Sequence, residues 1–368
     1  MENEYNQHAP QTIAELQSLV RESRSVAINR PGPPIDKHIP AVTRIALSAF
    51  HKIIEYQPEE YTITIEAGAS VRKVQTVLAE KGQYLPFDPP FIQEDTTIGE
   101  MIANGYSGPG AYRYGILRDF ILGLSFVDGL GNAIKTGGKV VKNAAGFDIP
   151  KLMVGNGDSL GIITEATFKV FPLPEAFHSI VFRFDDFPTG HQALLKLGRS
   201  RFTLDSLDLD QTGNLFVRLS GREVSMDQRV NAIETLLGRN SEAQSEESDP
   251  WPASVNLREF PDTGLLVKAP TTPTGIAILD TALAPYPATR RYSIGGFVSW
   301  IHWEAPVERL FDILEAQGLS AQIVSGDADT RIIGDVYQKP FYDRIKQALD
   351  PEGKFNELYR RTEPVLPS

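Results

Sequence analysis

The sequence of 368 residues contains no cysteine. That absence excludes a disulfide, a Cys-ligated zinc, an iron–sulfur cluster, a thiolate nucleophile and a cysteinyl-linked cofactor. It also removes the usual sign of an oxidising compartment. Positive charge is in short supply: 36 Lys and Arg stand against 47 Asp and Glu, for a net charge of -11. No basic cluster is visible, which argues against nucleic acid as a partner. Histidine is scarce, at positions 8, 38, 51, 178, 191 and 302, and no pair has metal-ligand spacing. No apolar run approaches the roughly 18–20 residues of a membrane helix, so no transmembrane segment is expected. The start, MENEYNQHAP, lacks the basic and apolar regions of a signal peptide. These absences together read as a cytoplasmic chain, reaching the inner membrane, if at all, through partners.

What is present suffices for real cores. Hydrophobic residues make up 41% of the chain, and the length suits about two domains. Thr12 to Glu15 reads as a capping box before a helix carrying Leu16, Leu19 and Val20. Tyr61 to Ala67 alternates as a half-buried strand, and Ser70 caps a helix that Gly82 stops. Leu122 to Lys135 reads as a hairpin turning at Asp128-Gly129, and Ile162 to Phe171 as a strand. After Pro174 the pattern becomes repeated strand–helix–strand units with antiparallel hairpins. It includes a helix at Ser225–Leu237 opened by a second capping box (Ser225, Gln228), an acidic loop at 240–250 and one strand from Tyr292 to Ile301. These repeats point to an α+β unit of ferredoxin-like type.

Three glycine-rich stretches carry the chemistry. They are Leu85-Pro86-Phe87-Asp88-Pro89-Pro90; Thr96 to Gly110, continuing through Tyr114-Gly115-Ile116-Leu117-Arg118-Asp119; and Lys142 to Asp148 with Gly155 to Glu165. Glycine lets the backbone approach a ligand and reach φ > 0, and exposed N–H groups form anion-binding concavities. Any one of these loops alone reads first as a tight turn.

Their order and spacing resemble the FAD-binding domain of the vanillyl-alcohol oxidase (PCMH-type) superfamily, and within it the short E-type subunits of bacterial glycolate oxidase. The resemblance rests on KNAAGFD, LGIITEATFKVFP, SGP with YG-LRDF-LG, and the tail IKQALDPEGKFN. It implies an α+β fold: a PCMH-type FAD-binding domain of two α/β subdomains with an inserted ferredoxin-like α+β cap. The segments implied are 1–174, 175–329 as the cap, and 330–368 returning to the first. FAD would be bound non-covalently. Asp88 and Pro89 would lie beside it. Thr97 and Gly99 would face the pyrophosphate. Asn104, Ser107 and Gly108 would follow the flavin or ribityl side, with Tyr114 and Gly115 nearby. Gly161, Ile162 and Ile163 would supply backbone contacts. The implied activity is oxidation of a small 2-hydroxy acid, glycolate or D-lactate, with electrons passing to a D-type flavin subunit and an iron–sulfur subunit.

The departures are specific. Where the family places a small-residue phosphate loop, this sequence reads Asn29-Arg30-Pro31-Gly32-Pro33-Pro34, whose prolines donate no N–H. Glu100 replaces the second glycine of Thr-x-Gly-Gly. No linking histidine lies between Ile28 and Ile35, with His38 just outside. The HxGDGNxH string of the D-type relatives is missing. His302 sits in an aromatic setting, either overhanging a flavin or ending a strand. Lys139 and Lys142 read as anion-holding groups or as surface lysines. No catalytic residue stands out. Three readings stay open: an electron-transferring flavin subunit, a stand-alone FAD-dependent 2-hydroxy acid dehydrogenase, and a scaffold that keeps the fold without FAD.

Overall fold

Helix-capping side chains set the first elements of the fold. A computed structural model describes residues 7–28, 43–89, 95–138, 148–245, 248–328 and 330–358. Thr12 caps the helix Ile13–Glu22 by accepting from the Glu15 amide, while the Glu15 carboxylate accepts from Gln11 N. Ser70 caps Val71–Ala79, which buries Val71, Val74 and Leu78. The anticipated cap at Ser225 does not form. A 3₁₀ turn, Glu223–Ser225, runs straight into the helix Met226–Leu237, and the Ser225 hydroxyl bonds back to Arg222 O.

A small parallel sheet of Gln7–His8, Thr43–Ile45 and Val26–Ile28 stands beside a five-stranded antiparallel sheet. The order of the latter is Ile53–Gln57, Thr62–Glu66, Ile162–Lys169, Ile121–Val127, Ala133–Gly137. The alternation at Thr62–Glu66 suggested a half-buried strand, but Thr62 and Thr64 are buried too. The strand lies between two others, and Thr64 pairs with Thr167 through their hydroxyls at 3.0 Å.

The largest sheet has nine strands, all antiparallel, in the order Glu242–Ala243, Ala176–Arg183, Asn214–Gly221, Ser206–Asp210, Ala288–Ser293, Val298–Trp303, Leu265–Pro270, Ser320–Ser325, Ile332–Gly334. Its first four strands, with helices Phe187–Gly198 and Met226–Leu237, follow the βαββαβ order of a ferredoxin-like unit. The strands Leu265–Pro270, Ala288–Ser293, Val298–Trp303 and Ser320–Ser325, with helices Ile276–Leu283 and Val307–Glu315, repeat it. The two units join edge to edge where Leu209 and Asp210 pair with Tyr292 and Arg291. The single strand anticipated from Tyr292 to Ile301 is instead a hairpin. Gly295 and Gly296, at φ 66° and 90°, reverse the chain where side chains resist that conformation.

One face of the nine-stranded sheet is apolar. Leu207, Leu209, Leu215, Val217, Leu219, Val267, Ile301 and Ile323 pack there in two cores that include residues of the four helices. The alternate positions, among them Ser206, Asp208, Arg218, Ser220, Lys268, Arg291, Ser293 and Trp300, form the inner face, turned toward the five-stranded sheet and its loops. The chain then returns. In the helix Lys339–Leu349, Lys346 Nζ donates to Ser159 O at 2.7 Å, Asp350 Oδ2 at 2.8 Å, Phe355 O and Asn356 O. Lys354 Nζ reaches Val20 O and Arg21 O at the end of the first helix. Among the described residues, no helix is long and apolar enough to cross a membrane.

Candidate functional site

The first two glycine-rich stretches form one packing unit. Asp88 sits at φ 44°, a conformation few non-glycine residues adopt. A Cβ on Gly108 would lie 2.2 Å from Asp88 O, and one on Gly110 would lie 2.2 Å from Pro86 O. Gly108 N donates to Phe87 O and Gly110 N to Asp88 Oδ2, each at 2.8 Å. These glycines are therefore dictated by close approach to Pro86–Asp88. Pro89 is buried beside Asp88.

Asp88 also anchors the inner face of the nine-stranded sheet. Its Oδ2 accepts from Arg218 Nη2, while Arg218 Nε donates to Asp205 Oδ2 at 2.6 Å. Ser220 Oγ donates to Asp205 Oδ1 at 2.9 Å, and Arg113 Nη1 donates to Ser220 Oγ at 2.6 Å. Burial pushes the Asp88 carboxyl above the ordinary carboxylate range, against the pull of Arg218. Burial would lower the Arg218 pKa, but Asp88 and Asp205 reverse it and the guanidinium stays charged.

A second cluster gathers at the end of the helix Ile98–Asn104. Gly155 N donates to Ile102 O at 2.9 Å and Gly157 N to Ala103 O at 2.7 Å, so the third stretch docks on the second. Asn104 Nδ2 donates to Glu100 O, and its Oδ1 accepts from Arg331 Nη1 at 3.2 Å. Lys268, on the inner face, donates from Nζ to Gly105 O at 3.0 Å. Among the described residues no ion pair balances it, and burial lowers its ammonium to a pKa of about 8. Ser107 Oγ accepts from Leu117 N at 2.9 Å. Tyr114 packs edge-on against Phe171 at 5.5 Å. Gly115, at φ 94°, faces Asp119 so closely that a Cβ would lie 2.6 Å from Oδ2.

Thr97 and Gly99 stand at the other end of that helix. Gly99 N donates to Ala67 O at 2.7 Å and Ile98 N to Ala69 O at 2.9 Å, while Thr97 Oγ1 accepts from Glu100 N. The first-turn N–H groups are thus engaged within the chain. Ile162 and Ile163 pair with Val127 and Phe126 and are buried, so only their backbone is available to a ligand. A Cβ on Gly161 would strike the Phe126 ring at 2.7 Å. His302 is buried and its Nε2 lies 2.5 Å from Thr263 O, which makes it a strand-end group of the sheet. Asn29–Pro34, His38, Lys139 and Lys142 lie outside the described residues.

The residues fit a flavin. Lys268 offers a buried cation to a group that gains negative charge on reduction. Gly155, at φ 80° with nothing within 4 Å of its missing Cβ, presents open backbone at the same place. Arg113, Asp205, Arg218, Lys268 and Arg331 escaped the sequence analysis. For Arg218 the signal is its place between apolar Val217 and Leu219, with Ser220 following, and a water-facing strand carries the same signal; Arg113, Asp205 and Arg331 lie outside such a pattern.

The family described as FAD binding domain matches residues 35–137. Glycolate oxidase subunit GlcE of Escherichia coli (strain K12) is 29% identical over 309 residues, covering 83% of this chain and 83% of that protein. Glycolate oxidase subunit GlcD of Bacillus subtilis (strain 168) is 32% identical over 161 residues, 43% of this chain and 34% of that protein. A solved alkyldihydroxyacetonephosphate synthase superposes with a TM-score of 0.68 at 16% identity, covering 94% of this chain and 76% of that one.

Proposed function

From the premise that this chain carries an FAD-binding domain on a PCMH-type fold, we propose that it is the flavin-binding subunit of a glycolate oxidase-like complex. In this reading it is an FAD-dependent oxidoreductase component. It works beside a catalytic D-type flavin subunit and an iron–sulfur subunit, and carries electrons taken from a small 2-hydroxy acid, glycolate or D-lactate. The observation that carries the proposal is the likeness to a glycolate oxidase subunit over 83% of both chains. The nine-stranded sheet supports treating residues from 175 onward as a cap. Its last strand, Ile332–Gly334, moves the proposed cap boundary from 329 to 334.

When bound, FAD supplies the redox chemistry. The chain's own residues position it. Asp88, Pro89, Gly108 and the backbone of Gly161–Ile163 would shape the cradle. Asn104 and Ser107, held by Arg331 and Leu117, would fix the loop along the flavin. Lys268 would place positive charge against it. Tyr114 and Gly115 support the same loop through Phe171 and Asp119. Thr97 and Gly99 would act by anchoring the helix to Ala67–Ser70, because their hydrogen-bonding groups are engaged there. The absence of cysteine, and of histidine between Ile28 and Ile35, supports non-covalent binding.

The absorbance spectrum of the purified chain tests this. A band near roughly 450 nm that leaves with denaturation is expected for a non-covalent flavin. Colourless protein that takes up no added FAD would refute the proposal and favour a scaffold. Turnover of glycolate or D-lactate by the chain alone would favour a stand-alone dehydrogenase.

A further inference from the structure

Arg291 lies at the seam between the two ferredoxin-like units, on the inner face of the sheet and nearly inaccessible at 4% exposure. Its Nε donates to Asp208 Oδ2 at 2.9 Å, and Asp208 also accepts from Ser293 Oγ and Ile294 N. That leaves the two terminal nitrogens. Nη1 donates to Glu259 Oε2 at 2.8 Å, while Nη2 is buried without a hydrogen-bond partner among the described residues. Glu259 mirrors the defect, since its Oε1 is buried and unpartnered as well. A guanidinium and a carboxylate pair best through two parallel bonds. Here the chain's own carboxylate makes one, and an unmatched atom remains on each side.

Glu259 arrives on a segment laid over the inner face. The short helix Trp251–Val255 leads into Leu257, which is buried at φ 55°, a strained conformation for a leucine. Trp251 is 2% exposed, with Arg218 at 5.3 Å and Arg291 at 5.7 Å from its ring, and its Nε1 has no partner. Beyond it, Ser206 Oγ on the sheet is also unpartnered. Burial pushes the Glu259 carboxyl up, with Arg291 opposing and Asp208 adding to the push. The segment borders an open groove of about 1030 Å³ lined by Asn256, Arg258, Phe260 and Glu304 among others.

We infer that Arg291 is a carboxylate-binding residue of the cap's inner face, and that Glu259 occupies it as a built-in, one-legged stand-in for a small carboxylic acid. A free planar carboxylate would engage Nη1 and Nη2 together and satisfy the nitrogen that Glu259 leaves bare. Arg218 is engaged by Asp88 and Asp205, and its guanidinium lies over the Trp251 ring. The inference deepens the proposed function: a flavin subunit whose acid site is filled by its own glutamate would leave substrate oxidation to a partner.

The test is calorimetric titration of the purified full chain with oxalate. Removing the internal competitor for a charge-assisted pair is expected to tighten oxalate binding about tenfold or more in Glu259→Ala relative to the unaltered chain. The gain should vanish when Arg291→Met is added. Glu259→Gln, which keeps the shape and loses the charge, should show the same direction and covers the case in which the alanine variant fails to fold. Unchanged affinity in Glu259→Gln, or a gain that survives Arg291→Met, would overturn the inference. Absorbance of the same samples reads the flavin separately. A colourless chain that gains oxalate binding keeps the site and refutes the flavin subunit; a yellow chain without the gain does the reverse.

Discussion

Lys268→Met should make the protein more stable at neutral pH, although it removes a hydrogen bond. The Lys268 ammonium is buried against Gly105 O, with no ion pair among the described residues. Its pKa falls from 10.5 to about 8. At about 1.4 kcal/mol per unit of pKa, holding the charge costs the folded state about 3 kcal/mol below pH 8. Methionine fills similar space without charge. The lost hydrogen bond returns about 1 kcal/mol, so the net gain at pH 7 is about 2 kcal/mol. The sign with pH follows from the lowered folded-state value. Between pH 8 and 10.5 the unfolded lysine holds a proton that the folded one has released, so native stability recovers as pH rises through that window. It is lost as pH falls toward 8. The variant's advantage should therefore shrink between pH 8 and 10.5. Urea unfolding of both proteins at pH 7, 8.5 and 10 measures it. A methionine variant less stable than the parent at pH 7, or a difference that does not change with pH, would refute the reasoning. A ¹³C-labelled lysine ε-carbon titrating near its ordinary value would do so directly.

Arg218→Met should cost about 3–5 kcal/mol, because Asp205 is left buried and short of a charge partner. Thermal unfolding that shifts by less than the equivalent of about 1 kcal/mol would show that the Asp88–Arg218–Asp205 link is dispensable. Lys346→Met should lower stability by about 3 kcal/mol and expose the chain after Leu349 to proteolysis, since four oxygens lose one donor. An unchanged cleavage pattern and urea midpoint would contradict that. Gly110→Ala should destabilise by about 1–3 kcal/mol through the clash with Pro86 O. If FAD rests against the Asp88 turn, the same variant should lose absorbance per chain, read in a simple spectrum.

The motif blocks were legible because their glycines are needed wherever these loops pack, whatever they hold. Their reason was not legible. Gly108 and Gly110 suggested backbone opened to a ligand; the structure shows that they admit Pro86 and Asp88. Caps were legible at Thr12 and Ser70, where an extended residue precedes the helix. At Ser225 the same letters failed, because a preceding 3₁₀ turn occupies the hydroxyl. The ferredoxin-like pattern emerged from strand–helix alternation, but its duplication was hidden by reading Tyr292–Ile301 as one strand. The two glycines that make it a hairpin also close the second unit.

The inner face was the least legible and the most informative. Ser206-Leu207-Asp208-Leu209-Asp210 has the alternation of a strand with one wet side. Yet Ser206 and Asp208 are fully buried. Nothing in a local pattern separates water from a second polar surface, because both demand the same alternation. The difference lies in energetics. A wet face of charged residues contributes little to stability, while buried charges such as Arg218, Lys268 and Arg291 carry desolvation costs that packing alone would avoid. The outer face, with Leu207, Val217, Val267 and Ile301, holds the cap together. The two faces should therefore separate under substitution. Val217→Ala on the outer face should lose about 1–3 kcal/mol with no change in ligand binding per folded chain. Lys268→Met on the inner face should gain stability and lose flavin affinity. Finding both properties moving together at both positions would mean that the inner face is structural, and that its charges have no ligand to serve.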